Sequence, residues 1–391
     1  MPDKKKIAVV RWLDQALDVC LIGFAAFSMF SISLTQICAG IGTLAWLVRV
    51  QVTCSWRELE FPLGNIFLFF MGTCVLAVLT SVEPAKSLIM LKKITLIAIF
   101  YWAINAIRDH AHRELLLKIL LLSAVLASFY GIFQAVTLGV SKSNRVDGTM
   151  SIYMTFAGVL MLVALMGLSR LLFYRKFETW VALGVGLLIV CLLLTLTRQA
   201  WLGLIVGAGF LIFIRQKKYL LVLPVAFFMA IVFSYGAVKE RLWSMVDFQD
   251  RTYLIRLQLW EGGWKIIKDY PLTGCGFKCV DKIYSQYPDQ SEVLKLYRGM
   301  HNNLVQIAVD MGLIGVVVWL SIWVGYFYVL YRRVKESTKP EDRWVILGSA
   351  AVTVGFLSGG LFEVNFYDSE VVMLLYFLMA MPLFKPRPDV F

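Results

Sequence analysis

The sequence predicts an all-α, polytopic membrane protein with about twelve transmembrane helices, and three observations carry that prediction. The chain is 59% hydrophobic and 16% charged over 391 residues, whereas a soluble domain carries about 25% charged residues. Its mean hydropathy is +0.73. Its cations gather in groups between long apolar runs. A span needs roughly 20 apolar residues to cross the hydrocarbon layer, so about twelve spans use roughly 240 residues, close to the hydrophobic fraction of this chain.

Taken in order, the apolar runs lie at residues 17–32, 33–48, 61–80, 89–107, 115–138, 152–172, 180–196, 200–214, 220–235, 304–330, 344–361 and 371–384. Lys4, Lys5, Lys6, Arg11, Asp14 and Asp18 surround the start of the first run, so no cleavable signal peptide is read here and the first helix serves as its own signal. One stretch settles itself by arithmetic. Residues 181–214 are apolar almost throughout, and 34 residues in one helix would be roughly 51 Å long, too long for one span. A break at Thr197, Arg198 and Gln199 gives two short spans and puts Arg198 at the outer membrane surface instead of mid-bilayer, where its charge is costly.

The formal net charge of +12 reads as topology and not as nucleic-acid binding. Seven cation groups, from Lys4–Arg11 through Arg49, Arg108, Arg170, Arg215 and Arg332 to Lys385, fall on one side, which the positive-inside rule makes cytoplasmic, with both termini. The organisation that follows is residues 1–236 with nine spans, a long outer segment at 237–300, and residues 301–391 with three more. Within the outer segment, Tyr253, Leu257, Trp260, Trp264 and Ile267 recur at spacings of 4, 3, 4 and 3, one face of an amphipathic helix lying in the outer interface. Asp250 caps its start and Tyr270-Pro271 ends it. Five of the seven cysteines lie in or beside apolar runs as small hydrophobes. Cys275 and Cys279 share the outer segment and are read as free thiols, with a disulfide open to them in an oxidising compartment.

Histidine is scarce: His110 and His112 lie in a cytoplasmic loop, which leaves His301 outside, just before the helix from Leu304. A helix N-terminus disfavours the imidazolium, so His301 is read as a proton acceptor, the alternative being that it simply begins the span. Arg198 is either a snorkelling or ion-paired arginine or an anion ligand, and Arg256 either a solvated flank or the same. With Arg145 of the outer loop they suit a phosphate or pyrophosphate, whose oxygens match the guanidinium fork. Asp281, Asp289, Glu292, Glu363 and Asp368 show no tight ligand spacing and are read as structural or solvated, with no metal. No glycine-rich nucleotide cradle is visible on the cytoplasmic side.

Three segments resemble the O-antigen ligase and polymerase superfamily of bacterial envelope glycan assembly. Leu194-Thr-Leu-Thr-Arg198-Gln-Ala-Trp-Leu-Gly203 is similar to its Thr/Ser-Arg motif. Arg256-Leu-Gln-Leu-Trp260 with Tyr270-Pro-Leu-Thr-Gly-Cys-Gly276 is similar to its Arg, Trp and Pro-x-x-Gly-x-Gly stretch. His301-Asn-Asn-Leu-Val-Gln-Ile-Ala-Val-Asp-Met-Gly312-Leu-Ile-Gly315 looks like its His-Asn motif and Gly-x-x-Gly helix. The motifs cover residues 145–315 and the topology covers the whole chain; Gln199 and Ala200 stand where many members have smaller residues. The resemblance implies a GT-C-like membrane glycosyltransferase of a Gram-negative inner membrane. It implies an undecaprenyl-pyrophosphate-linked glycan as donor, lipid A core oligosaccharide as acceptor, and no metal or cofactor. His301 is then the base, Arg198 and Arg256 hold the leaving group, and Arg145 and Asn302 bind substrate. The rivals are an O-antigen or exopolysaccharide polymerase with the same donor, and a secondary transporter, for which no internal repeat is visible.

Overall fold

The computed structural model describes residues 4–221, 236–244, 247, 249–336 and 340–386. Among them the elements are helical. In chain order they are α1 (Lys4–Phe27), α2 (Ile32–Thr53), α3 (Gly64–Leu79), α4 (Pro84–Met90), α5 (Ile97–Ala106), α6 (His110–Leu138), α7 (Tyr153–Phe173), α8 (Thr179–Leu194) and α9 (Arg198–Arg215). After these come α10 (Gly236–Trp243), α11 (Arg251–Asp269), α12 (Val280–Ile283), α13 (Ser291–Tyr297), α14 (Asn303–Glu336), α15 (Pro340–Gly359) and α16 (Ser369–Ala380). Among the described residues six stretches are long and apolar enough to cross a membrane: α2, Pro84–Ala106, α6, α7, α9 and α14; α3, α8 and α16 are shorter apolar helices. The ninth expected span, 220–235, lies almost wholly outside the described residues.

Eleven of the expected runs coincide with described helices, and the differences have local causes. The first helix begins at Lys4 and stops at Phe27, five residues before the end of the expected run, and Ser31 starts α2 by accepting from the Leu34 N–H. The run at 89–107 is interrupted: a 3₁₀ stretch, Leu91–Leu96, joins α4 to α5. Lys93 lies in it and donates to the Tyr367 carbonyl. The break within 181–214 occurs where α8 ends at Leu194 and Leu196 takes a left-handed φ of 52°.

The core is built where α15 packs on α7 and α9, α14 on α3, and α8 on α6 and α7. Small residues permit the closest approaches: a Cβ on Gly203 would lie 2.6 Å from the Gly355 carbonyl oxygen. At one end of the bundle, Arg49, Arg113 and Arg170 are nearly buried. Arg49 pairs with Asp14 at 2.6 Å, Arg113 with Asp342 at 2.8 Å, and Arg170 with Glu114 at 2.5 Å and also with Glu178. These pairs tie helix ends together across the sequence.

The long α14 is broken at Gly312 (φ 65°, ψ −169°), a conformation essentially confined to glycine. The break is repaired from outside the helix. Cys275 N and Gly276 N donate to the Val309 and Asp310 carbonyls at 2.9 and 3.1 Å, and Leu313 N and Ile314 N donate to the Pro271 and Leu272 carbonyls at 2.8 and 3.3 Å. The Pro-x-x-Gly-x-Gly stretch therefore supplies the backbone partners that the interrupted helix lacks. A Cβ on Gly312 would meet the Leu272 carbonyl oxygen at 2.2 Å, and one on Gly274 the Asp310 carbonyl carbon at 2.5 Å. Cys275 and Cys279, read from sequence as free thiols, are joined in a disulfide beside this junction. Gly276, with a φ of 92°, turns the chain between them, a reversal that a spacing of four does not announce.

Candidate functional site

The end of the bundle opposite the Arg49, Arg113 and Arg170 pairs gathers loops from five parts of the chain. Thr197 is extended and precedes the first helical residue of α9, Arg198, so the arginine leaves the break on the first turn. Its Nη1 donates to the Ser244 carbonyl and Oγ at 2.7 and 3.1 Å, and its Nη2 to Asp250 Oδ1 at 2.9 Å. Asp250 also caps α11 by accepting from Thr252 N at 3.1 Å. Burial works against the Asp250 carboxylate, but the Arg198 hydrogen bond and charge outweigh it and hold its pKa below the ordinary value. The buried Arg241 donates Nε to the Leu196 carbonyl at 3.2 Å. Burial brings its pKa down to about 10, with the charges of Arg198, Arg145 and Arg256 acting in the same direction.

Helix α11 has the limits expected from Asp250 and Tyr270, and its protein-facing side shares Ile267 with the expected stripe. Leu257 and Trp264 of the expected stripe are 41% and 57% exposed, while Leu259, Gly262, Gly263, Ile266 and Ile267 are buried. The glycines explain it: Cβ atoms on Gly262 and Gly263 would lie 3.2 Å from Leu294 and 2.7 Å from Val305, so close packing against α13 and α14 selects a face that hydropathy does not mark. Trp260 flanks that face and donates to the Met300 carbonyl at 2.9 Å. Arg256 projects into the interior with its Nε buried and unpartnered, and among the described residues its guanidinium is in no ion pair. Burial lowers its pKa; the Glu363 charge opposes this and Arg198 adds to it.

His301 stands just before α14 with a left-handed φ of 46°, an uncommon backbone state for a residue with a side chain. Its Nδ1 lies 3.0 and 3.2 Å from the two carboxylate oxygens of Glu363, and the Tyr297 ring meets the imidazole edge-on at 5.8 Å between centroids. Burial would raise the Glu363 pKa, but the His301 hydrogen bond and charge prevail and lower it. Asn302 donates to the Leu361 carbonyl at 3.0 Å and accepts from Val305 N at 3.2 Å. Asn303 donates to Asn365 Oδ1 at 2.6 Å and accepts from Phe366 N at 3.2 Å. The loop at 360–368 is thus fastened to the start of α14.

Of the residues singled out from sequence, Arg198, Arg256 and His301 fall in one neighbourhood, with Glu363 in contact with His301 and its charge felt at Arg256. Arg145 stands at the rim, its guanidinium 4.5 Å from the centre of the Tyr153 ring, and its charge reaches Arg241. Asn302 is occupied in holding backbone. Sequence reasoning gave no role to Arg241 and read Glu363 as structural or solvated; 62 residues separate Glu363 from His301, and the one available signal was a carboxylate on a cation-rich face. Beside Glu363 and Gln199 lies an open cavity of about 110 Å³, also lined by Thr155, Asn365 and Asp368. Cations with few carboxylates, next to an imidazole with a free Nε2, form an arrangement that can bind an anion and accept a proton.

Residues 183–320 match the O-antigen ligase family model. No curated protein matches the chain.

Proposed function

We propose, from the O-antigen ligase match and the basic site it encloses, that this chain is a GT-C-like ligase of the bacterial inner membrane. It moves a glycan from undecaprenyl pyrophosphate to lipid A core oligosaccharide at the periplasmic face, with both termini cytoplasmic. The observation that carries this reading is the half-buried Arg256, whose buried Nε has no partner among the described residues, beside Arg198 and Arg241. Three guanidinium groups against Asp250 and Glu363 leave positive charge that a pyrophosphate would balance.

In the reaction, an acceptor hydroxyl gives its proton to His301 Nε2 as its oxygen forms a bond to the anomeric carbon. The bond from that carbon to the pyrophosphate oxygen breaks, and its electron pair stays on the departing pyrophosphate. Arg198 and Arg256 stabilise that charge. Attack from the face opposite the leaving group inverts the anomeric configuration. Arg145, at the rim, contacts the incoming anion, and Asn302 acts by fixing the backbone that carries His301.

The test uses purified protein in nanodiscs with the lipid-linked donor and lipid A core acceptor. Wild type is expected to form capped lipopolysaccharide, and His301→Ala to be slower by about 10² to 10⁴ while remaining folded. A wild type that lengthens the lipid-linked glycan without lipid A core is a polymerase; one that does neither with a competent donor returns the transporter reading.

A further inference from the structure

We propose that Glu363 is the positioning residue for His301, fixing the ring proton on Nδ1 so that the Nε2 lone pair is the one presented to the acceptor. This rests on the reading of His301 as base. Both Glu363 oxygens lie within hydrogen-bond distance of Nδ1, at 3.0 and 3.2 Å. A carboxylate only accepts, so Nδ1 must donate, and a neutral imidazole then has its acceptor at Nε2.

The surroundings hold this alignment from both sides. Glu363 Oε1 also accepts from Val364 N at 3.0 Å. The Glu363 loop is fixed to the histidine's own helix by Asn302 to the Leu361 carbonyl, Asn303 N to the Gly360 carbonyl at 2.8 Å, and Asn303 to Asn365. A Cβ on Gly360 would lie 2.2 Å from Asn303 Nδ2, so loop and helix start cannot separate without losing that fit. The left-handed backbone at His301 aims the ring at the loop, and such a conformation persists where its surroundings over-determine it.

The Glu363 charge also bears on Arg256, which couples one carboxylate both to the group that gains a proton and to a group that meets the leaving pyrophosphate. As Nε2 takes the acceptor proton, the ring becomes an imidazolium beside a carboxylate. The proton stays on Nε2 and Glu363 remains ionised, acting through the ring without touching substrate.

A clamp that merely fastened the loop would leave the tautomer unchanged, so the test reads the tautomer. Wild type and Glu363→Gln are labelled with ¹⁵N-histidine in nanodiscs, and the His301 signals are identified by their loss in His301→Gln. The chain has three histidines, which keeps the spectrum tractable. Wild type is expected to show the Nδ1–H tautomer. Glu363→Gln, whose amide can donate as well as accept, is expected to show a mixture and a kcat lower by about 10²-fold, with KM for donor and acceptor within about twofold. Glu363→Asp, which retains a carboxylate, is expected to recover at least about a tenth of the lost rate.

An Nε2–H tautomer in wild type overturns the proposal, and needs no variant to fold. An unchanged tautomer with unchanged kcat in a folded Glu363→Gln overturns it as well. A wild type with the Nδ1–H tautomer that transfers glycan to no acceptor supports the Glu363 assignment and overturns the functional reading on which it rests.

Discussion

At one end of the bundle the nearly buried Arg49, Arg113 and Arg170 each meet a carboxylate, whereas at the other end Arg241 donates to a carbonyl and Arg256 pairs with nothing among the described residues. The first end has charges that cancel: Glu114 and Glu178 both close on Arg170, and Asp342 on Arg113. At the second, Arg198, Arg241 and Arg256 face Asp250 and Glu363, and Glu363 is already engaged by His301. Burying an unpaired cation is costly. A chain that gives each of these arginines a carboxylate at one end, but among the described residues pairs only Arg198 at the other, has left the second end able to gain from an anion.

That contrast is most severely tested by removing a paired arginine. Arg170→Met leaves the half-buried Glu114 and Glu178 without the cation they share, and it is expected to lower unfolding stability by about 1 to 3 kcal/mol. The thermal midpoint in detergent checks this; a midpoint unchanged from wild type would mean that the pairs at that end do not hold the helices together.

Arg256→Met should do the reverse. Here no described carboxylate loses a direct partner, and an apolar side chain of similar volume replaces a half-buried cation with no ion pair among the described residues, so the unfolding midpoint is expected to hold or rise. Glycan transfer is expected to fall by about 10² to 10³ as a contact to the leaving pyrophosphate disappears. Loss of stability with full activity would reverse the contrast, making Arg256 a structural residue and the pocket something other than an anion site.

How much of this was legible in the sequence depends on the distance over which each feature is fixed. The break before Arg198 is legible because 34 apolar residues exceed a bilayer, and the limits of α11 because Asp250 and Tyr270-Pro271 are local signals. Its buried face is not, because Gly262 and Gly263 pack through the absence of a side chain and have little hydropathy to show. Arg198, Arg256 and His301 stand out because charge and imidazole are conspicuous in an apolar chain. Glu363 stays hidden, since only the folded loop at 360–368 carries it back to His301. Asn302, assigned to substrate through the resemblance, turns out to hold the Leu361 carbonyl and Val305 N. The resemblance identifies a motif position but not these backbone contacts, which leave one amide N–H and one oxygen lone pair of Asn302 unassigned.

The mildest expected effect concerns the one direct ion pair of the arginine cluster, Arg198 with Asp250. The Asp250 pKa is lower in the folded protein than its ordinary value, so its contribution to stability is complete above the ordinary aspartate range, near about 4, and is lost as pH falls through the depressed folded value. Glu363 is displaced in the same direction, so the wild-type acid profile alone does not separate them. Asp250→Asn does, because asparagine can still cap α11 by accepting from Thr252 N while the charge on Arg198 is left uncompensated. The gap between the unfolding midpoints of wild type and Asp250→Asn is therefore expected to be widest near neutral pH and to close toward acid. The absence of a gap at any pH would mean that Asp250 serves α11 as a cap alone, and that Arg198, like Arg256, waits for its counter-charge from a bound anion.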